Sequence, residues 1–433
     1  IYGNNTRNCA INGRQVPGTS EISCTLISHF GDFNGPIALV DLAKGRFNPA
    51  SAASITPEVK YNYDRGWPRR ECFRDPVPVA RDYFLVSHAP GDRFGLYVID
   101  RYGNREILYL DPAIGSMCPE LLRRVRRPPT LTAVQRPENN ENLGQFLLAD
   151  VYEGLGANVE RGSVKYIRVC QEVKAELVRL PNGEYRNDHR PFMDYYATPV
   201  HKVRGPHGWP TYEAKASLGI APVADDGSAN FLAPAGKVLY FQALDGQFNE
   251  IQRMRSVLQL QPGEKRGCIG CHEDRTLAPG TSRRPLAMLR EAQKLDPPPW
   301  GAVPFSYEKV VQPVFNAKCI RCHNARHKRK INLTGTLDTD RVPASYRTLI
   351  ARGLVHYFNM AYGLPHTKAK PLTFGTVKSK LIAVLEAGHN KVKLTPGEMR
   401  RIKCWIDLNC PLWPDYIFRG DRPAQSQKLT RKP

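Results

Sequence analysis

The chain has 433 residues, 41% of them hydrophobic and 24% charged, which is typical of a globular protein with about two to four domains. Its apolar runs all fall short of the roughly 18 residues that a membrane-spanning helix needs, so we predict no transmembrane segment. The net charge of +21 suits solubility or an acidic redox partner, and nucleic acid is excluded because the basic clusters at 123–127 and 327–330 lack interleaved aromatic residues.

Residues 1–262 are predicted to form a β-rich domain, because short apolar runs recur between turn signals and helical periodicity is scarce. The run at 96–99, the turn around Gly103 and the run at 107–110 together predict a β-hairpin. Other predicted strands lie at 35–41, 83–87, 163–169 and 237–242.

A loop-rich segment, 263–296, follows and contains Cys268, Cys271 and His272. We predict a short helix at 285–294 at its end. Residues 297–304 contain three consecutive prolines and are predicted to be a stiff linker between domains.

Residues 305–418 have helical patterns. Ser306 is a predicted N-cap for a helix that leads into Cys319, and 380–386 is a second predicted helix. Thr395 opens a capping box for a last helix, which predicts a small helical domain like a class I cytochrome c. The fold class is therefore α+β and multidomain, with a β-rich part, a helical cytochrome-like part, and a tail at 419–433 that we expect to be disordered.

Two Cys-x-x-Cys-His motifs, 51 positions apart, carry the clearest chemical signal in the chain. This spacing is the attachment signature of c-type haem, in which two cysteines form thioethers and the histidine binds the iron. A zinc knuckle would need a second Cys/His pair at zinc-finger spacing, and neither motif has one nearby. We therefore predict two covalent haem c groups, with thioethers at Cys268, Cys271, Cys319 and Cys322 and iron ligands at His272 and His323.

A second axial ligand for the haem at His323 is predicted at His389. A class I cytochrome c has a methionine before its last helix, whereas residues 385–394 contain no methionine and do contain His389. Two imidazoles would fill both axial positions, so this haem would relay electrons. His356 and His366 are alternative ligands, and His389 could instead be a surface histidine in a loop.

The first haem lies outside any cytochrome-like helical frame, so its second face could be open to a substrate. His29 is the preferred residue of this pocket because it precedes a glycine-rich turn suited to a site loop. Glu273, Asp274 and Arg275 could pair with the haem propionates or move protons. The other candidates for the sixth ligand or the pocket are His88, His201, His207 and Met254.

These segments resemble the alpha subunit of hydrazine synthase and its relatives in planctomycete (anammox) bacteria. The resemblance rests on the two haem motifs and Gly388-His389, and on stretches at 24–41, 82–87, 96–110, 221–228, 254–273, 311–323 and 405–409.

The resemblance implies a β-rich middle domain with one unusual catalytic c-type haem and a C-terminal domain with a bis-histidine haem. It also implies an N-terminal β-propeller, most of which we expect to be missing, with residues 2–43 as either its last piece or an adapted start. In this family a tyrosine four residues after the motif histidine binds the catalytic iron and leaves that histidine to zinc. Thr276 stands at that position here, so we expect His272 to bind iron, with zinc as a less favoured cofactor. The family's additional cysteine near the catalytic haem would be Cys24.

Two functions follow from these observations. In the first, the chain is a haem-dependent oxidoreductase that joins small nitrogen compounds, hydroxylamine with ammonia, at the haem of His272, with His29 and Cys24 as further catalytic residues. In the second, it is a non-catalytic dihaem electron-transfer or docking subunit of a multihaem complex with an acidic redox partner. Because haem c is attached outside the cytoplasm, we expect the periplasm or an anammoxosome-type compartment, and either a cleaved leader or a longer parent chain.

Overall fold

A computed structural model gives the fold as two compact units, residues Ile1–Leu131 and Thr132–Pro433. It describes most of both units. The described residues are 9–27, 33–45, 48–59, 71–124, 127–130, 142–174, 177–179, 181–183, 185–187, 203–211, 213–272, 284–326, 331–358, 370–416 and 428–429. Within these ranges, we find no helix with the length and hydropathy that crossing a bilayer would require.

The first unit contains two four-stranded sheets, each an antiparallel meander in which neighbours in sequence are neighbours in space. One sheet comprises β1 (Cys9–Gln15), β2 (Glu21–Ile27), β3 (Ile37–Asp41) and β4 (Ala52–Ser54). The other comprises β5 (Cys72–Pro78), β6 (Tyr83–Ala89), β7 (Gly95–Asp100) and β8 (Arg105–Tyr109). A four-stranded meander is also the pattern of one propeller blade, and the expected propeller segment at 2–43 stays a prediction.

Strand β3 is buried on both faces, which explains its continuous apolar sequence. Ile37 and Leu39 join a core that also contains Phe73 and Phe84 of the second sheet. Their neighbours Ala38 and Val40 point to the opposite face, where they pack with Cys24. The predicted hairpin is confirmed as β7 and β8, joined by a turn with Gly103 at φ 93°.

The second unit is built around two larger sheets and a small one. The first, in spatial order, is β13 (Lys215–Pro222), β10 (Tyr166–Glu172), β15 (Val238–Leu244) and β16 (Glu250–Arg253). The second is β14 (Ala229–Pro234), β9 (Leu143–Leu148) and β17 (Lys265–Cys268), with β17 parallel to β9. The small sheet is β11 (Leu177–Arg179), β12 (Tyr185–Asn187) and β18 (Lys428–Leu429).

The strands β10 and β15 separate two cores because their side chains alternate between faces. Val169 and Leu239 pack toward the second sheet, in a cluster with Phe146 and Phe231. Their neighbours Cys170 and Tyr240 point the other way, into a cluster built mostly from helical residues. The prediction of a β-rich chain is thereby confirmed. Residues 428–429 lie in the tail that we expected to be disordered, and for these two residues that expectation is wrong, because they pair with β12.

The α-helices among the described residues lie in the last third of the chain. They are α1 (Tyr307–Val310), α2 (Gln312–Lys318), α3 (Ala344–Ala351), α4 (Lys380–Glu386) and α5 (Pro396–Asp407). Ser306 caps α1, as predicted, by accepting a hydrogen bond from the Lys309 N–H. The predicted capping box is also confirmed, because the Thr395 and Glu398 side chains each accept a backbone N–H at the start of α5.

The helix predicted at 285–294 is wrong. Only Leu286–Leu289 forms a single 3₁₀ turn. The chain then extends along β14, where the Gln293 N–H donates to the Asn230 carbonyl and the Gln293 carbonyl accepts the Leu232 N–H. The Asn230 side chain donates to the carbonyls of Ala287 and Arg290, which holds this turn against the strand. A tertiary contact therefore overrides the local preference for helix.

The proline-rich segment predicted as a linker lies against the edge of β13 in the second unit. Ile220 pairs with Asp296 and Ala216 pairs with Pro304, at either end of the segment. The close approach requires Gly219, because a Cβ there would lie 2.6 Å from the Asp296 carbonyl oxygen, at a φ of 148° that disfavours other residues. The predicted domain boundaries themselves stay a prediction.

Replacing Gly219 with alanine is expected to destabilise the second unit by about 1–3 kcal/mol, because the added methyl group forces the Asp296 segment away from β13. The free energy of unfolding in urea would measure this. Gly397→Ala is the matched control, since no atom lies within 4 Å of its Cβ position, and its effect should stay within about 0.5 kcal/mol. Equal unfolding midpoints for the two variants would contradict the prediction.

Candidate functional site

The first Cys-x-x-Cys-His motif begins at the end of β17 and is fixed to the edge of the second sheet. Cys268 pairs with Leu148 of β9. Beyond this pair the Ala149 N–H donates to the Cys268 carbonyl at 2.9 Å, and the Asp150 N–H donates to the Ile269 carbonyl at 3.0 Å. The motif is therefore an extension of a β ladder and lies outside the helical part of the unit.

The glycine between the two cysteines is required by the close approach of another segment. A Cβ on Gly270 would overlap the backbone of Glu153, whose carbonyl also accepts a hydrogen bond from the His272 N–H at 3.4 Å. Cys268 and Cys271 are partly buried against the apolar cluster that contains Phe146 and Phe231. Burial raises the pKa of the Cys271 thiol to about 12, so this sulfur is protonated at neutral pH.

His272 is oriented by the backbone of β16. Its Nε2 lies 2.9 Å from the carbonyl oxygen of Arg253, and since a carbonyl only accepts, Nε2 carries the proton. Histidines that bind metals commonly donate one ring N–H to a backbone carbonyl in this way. The residues of the first motif therefore fit a covalently held, metal-containing group, which would bind the other ring nitrogen of His272, Nδ1.

The second motif continues from α2. The Cys319 N–H donates to the Phe315 carbonyl at 2.8 Å, and the His323 N–H donates to the Cys319 carbonyl at 2.9 Å, so the motif is a continuation of helical turns. Cys319 packs against the helical core, where burial raises the pKa of its thiol to about 11, whereas Cys322 is exposed. One sulfur thus faces the core and the other faces solvent.

His389 is presented by a tight turn directly after α4. Gly388, at φ 84°, ends the helix. Asn390 and Lys391 both have positive φ, and His389 pairs with Val392 across them, which is the geometry of a type I′ turn. The turn brings the His389 ring to 5.8 Å from the His323 ring, with 29° between the ring planes.

This separation lies within the range of ring–ring contacts, and it also leaves room for one metal ion between the two rings. A metal–nitrogen bond of about 2 Å on each side, with about 1 Å from each nitrogen to its ring centre, spans roughly 6 Å. The residue pair His323 and His389 therefore fits the two axial positions of a haem iron. The structure thus brings together the two histidines that the sequence analysis paired.

The comparisons with known proteins match one segment of this chain by sequence and nearly the whole chain by fold. Residues 162–273, from the start of β10 to the end of the first motif, match the family model of the hydrazine synthase alpha subunit middle domain. The whole fold resembles a chain of Kuenenia stuttgartiensis hydrazine synthase with a TM-score of 0.65. The chain therefore contains a segment similar to the hydrazine synthase alpha subunit middle domain, within a fold similar to that of a hydrazine synthase chain.

The structural match has 17% sequence identity and covers 98% of this chain but 63% of the other, so this chain spans less than two thirds of its structural relative. At this identity the likeness establishes a shared fold. No curated protein sequence matches the chain.

The other haem ligands that the sequence suggested are found in several different parts of this chain. His356 packs on His207 with ring centres 4.0 Å apart, and burial lowers the pKa of His356 to about 4, helped by the neighbouring His207. His88 is buried in the first unit, stacked on Phe73. Met254 packs against the helical core. His29, His201, His366, Glu273, Asp274, Arg275 and Thr276 lie outside the described residues.

Cys24 is a core residue of the first sheet. It is 3% exposed, packs with Leu26, Ala38 and Val40, and burial raises the pKa of its thiol to about 12. Its role beside the first haem stays a prediction, because Cys24 belongs to the first unit and the motif belongs to the second. Among the described residues, no three His, Cys, Asp or Glu side chains converge as metal ligands, and the zinc prediction likewise stays open.

A buried network of four charged residues lies behind the first motif, and the sequence analysis did not find it. Arg168 of β10 lies 3.5 Å from the Asp407 carboxylate of α5. Arg253 holds Glu250 in a bidentate ion pair and donates to the Asp407 carbonyl at 3.0 Å. All four residues are less than 9% exposed. The only signal in the sequence is the placement of these charges within otherwise apolar strands and a helix.

A large cavity in the same unit is separate from both motifs. It has a volume of about 1180 Å³ and lies between the proline-rich segment and the sheet ends, where Leu143, Ala216 and Pro304 line it. Leu143 begins β9, whereas Cys268 pairs with Leu148 at the end of that strand. Neither motif contributes a lining residue, so we do not include this cavity in the candidate site.

Proposed function

We propose that this hydrazine synthase alpha-like chain is a dihaem c-type protein, with a catalytic haem at the first motif and an electron-relay haem at the second. The observation that supports it most directly is the 5.8 Å separation of the His323 and His389 rings. Two imidazoles at that spacing leave no axial position for a substrate, which is the property of a relay. The helical part that contains both histidines would then be the cytochrome c-like domain.

At the first motif, bound haem would supply iron that binds a small nitrogen compound and exchanges electrons with it. The chain contributes the covalent anchor through Cys268 and Cys271, which keep the group against the apolar cluster. The Arg253 carbonyl fixes the plane and the protonated nitrogen of the His272 ring. Hydroxylamine and ammonia are the proposed substrates, since their condensation gives hydrazine and water with atoms and charge balanced. His29 and Cys24 remain proposed catalytic residues.

The alternative is a non-catalytic dihaem electron-transfer or docking subunit. One observation favours it: Thr276 occupies the position of the family's iron-binding tyrosine. In either case we propose other subunits and an acidic redox partner, since the net charge is +21, and an extracytoplasmic compartment in which haem c is attached.

Haem content tests the shared basis of both functions. The wild-type chain is expected to carry two covalent haems by intact mass and by the pyridine haemochrome spectrum. The pair Cys268→Ser and Cys271→Ser, or the pair Cys319→Ser and Cys322→Ser, should each remove one haem, because thioethers form only at these sulfurs. Cys118→Ser, at an exposed cysteine outside both motifs, should keep both. A wild-type mass equal to the bare polypeptide would refute the proposal.

Carbon monoxide separates the two functions. If the first haem is catalytic, one of the two reduced haems should bind carbon monoxide and its ferric form should be high-spin, because one axial face is open. If the chain only carries electrons, both haems should be low-spin and neither should bind carbon monoxide. The two outcomes are read from the same sample by absorption and electron paramagnetic resonance spectra.

A further inference from the structure

Glu250 occupies a fully buried position directly behind the first motif. It begins β16 and is 0% exposed. The Arg253 Nε–H donates to one carboxylate oxygen of Glu250 at 2.8 Å, and a terminal guanidinium nitrogen donates to the other. The backbone carbonyl of the same Arg253 accepts the His272 Nε2 proton. One residue therefore connects Glu250 to the motif histidine, and Glu250 itself does not touch that histidine.

Charged and titratable groups surround Glu250 from every element packed against it. Arg253 lies on its own strand, and Asp407 of α5 lies on the other side of the Arg253 guanidinium. The Thr376 hydroxyl accepts the Glu250 N–H at 3.2 Å and packs beside Asp407. The other described groups whose charge acts on Glu250 itself are Arg168, Cys170, Tyr240 and Cys271, and Arg255, Cys404 and Cys410 act on its partners Arg253 and Asp407.

The network is balanced when both carboxylates are ionised, because it then contains two guanidinium groups and two carboxylates. An electron added at the adjacent motif would leave an uncompensated negative charge in a buried region, where electrostatic energies are large. A proton that enters the same region would offset that charge. The two arginines cannot supply this balance, because their pKa values keep them protonated in both states.

Of the two carboxylates, Glu250 is the one poised to accept a proton. Burial raises its pKa to about 7, against the opposing attraction of Arg253, and the Asp407 charge raises it further. Burial also raises the pKa of Asp407, but Arg168 at 3.5 Å and the Thr376 N–H at 3.0 Å both favour its ionised form. A small change in local charge therefore titrates Glu250 first.

We propose that Glu250 takes up one proton from water when the haem proposed at Cys268 and Cys271 accepts one electron. The electron comes from an external one-electron donor by way of the second haem, the iron changes from ferric to ferrous, and a Glu250 oxygen forms the new O–H bond. The total charge of the buried region is then the same before and after. This inference rests on the proposed function, because it needs a redox group at the first motif.

The test is the pH dependence of the reduction potential of each haem, measured by spectroelectrochemistry on the full haem-loaded chain. In the wild type, the potential of the first haem should be flat below about pH 7 and should fall above it, by about 59 mV for each tenfold drop in proton activity. It falls because the reduced state holds one more proton. Glu250→Gln should abolish this slope. The pH dependence of the second haem's potential should be the same in the wild type and in the variant.

Glu264→Gln is the matched control. Glu264 also precedes the first motif closely, but it lies in a partly exposed ion pair with Arg266, so its removal should leave the slope intact. A slope that persists in Glu250→Gln, or that disappears equally in Glu264→Gln, overturns the proposal. A sample without covalent haem would refute the proposed function instead, so the two failures are distinguishable.

A second measurement on the wild type covers the case in which Glu250→Gln does not fold. Reduced-minus-oxidised infrared spectra should contain a new carbonyl band of a protonated carboxylic acid at pH 8, shifted when all glutamates carry carbon-13 and unshifted when only aspartates do. Absence of the band, or its appearance with labelled aspartate, would assign the proton elsewhere and contradict the role of Glu250.

Discussion

Replacing His389 with alanine will convert one of the two haems from a low-spin to a high-spin or water-ligated state. The expectation follows from the proposed bis-histidine ligation and from the ring separation of 5.8 Å, which leaves room for an iron between His323 and His389. Loss of one of two strong-field imidazoles leaves the iron five-coordinate or bound to water. Electron paramagnetic resonance of the oxidised protein should therefore lose the whole low-spin signal of that haem.

His356→Ala is the matched control for this experiment. His356 is the other described histidine that the sequence suggested as a ligand of the second haem. Its ring packs on His207 with ring centres 4.0 Å apart. Its removal should leave both haem spectra unchanged. An unchanged low-spin spectrum in His389→Ala would remove His389 from the site, and a loss of signal in His356→Ala instead would reassign the ligand.

The elements that were predictable from the sequence are those whose signals are local. The hairpin of β7 and β8 is determined by alternating apolar residues around Gly103, and α5 is determined by its capping box at Thr395. The turn that presents His389 follows from Gly388, which can end α4 at positive φ. In each case the residues that determine the structure lie within a few positions of it.

The predictions that are wrong depend on contacts between distant residues. The segment after Pro285 has the composition of a short helix, but Asn230 binds the carbonyls of Ala287 and Arg290 and the chain extends along β14. The helix α3 was not predicted, and its first turn has no side-chain cap. Long-range packing decided these elements, and no spacing rule reports it.

The residues of the candidate site can likewise be separated into those with a local sequence signal and those without one. The two cysteine motifs are visible as letter patterns, and the pairing of His323 with His389 was inferred from one missing methionine. The buried network was not found, because Glu250 and Asp407 are 157 positions apart and nothing in either segment shows that both are buried beside arginines. Charges at buried positions are rare, so this network is also the feature with the largest expected effect on stability.

Asp407→Ala is expected to destabilise the second unit by about 3–5 kcal/mol, because it leaves a buried arginine without its counter-ion. Arg168 is 2% exposed, and its guanidinium also donates to the neutral side chain of Gln242 at 2.8 Å. The same change deprives the Thr376 N–H of the carboxylate oxygen that accepts it. Guanidinium unfolding monitored by tryptophan fluorescence would measure the loss, since the buried Trp405 lies on the same helix.

Two further variants distinguish electrostatics from packing. Asp338→Ala removes an acid from a half-exposed ion pair with Arg347 and should cost no more than about 1 kcal/mol. The double variant Arg168→Met with Asp407→Leu fills a similar volume without charge and should recover much of the stability lost in Asp407→Ala. If the double variant were as unstable as Asp407→Ala, the loss would come from the shape of the site. If the double variant recovers the stability, the energetic cost lies in the unpaired charge. Apolar residues could then replace the ion pair without loss of stability, which is consistent with a role for its charges in the coupling proposed for Glu250.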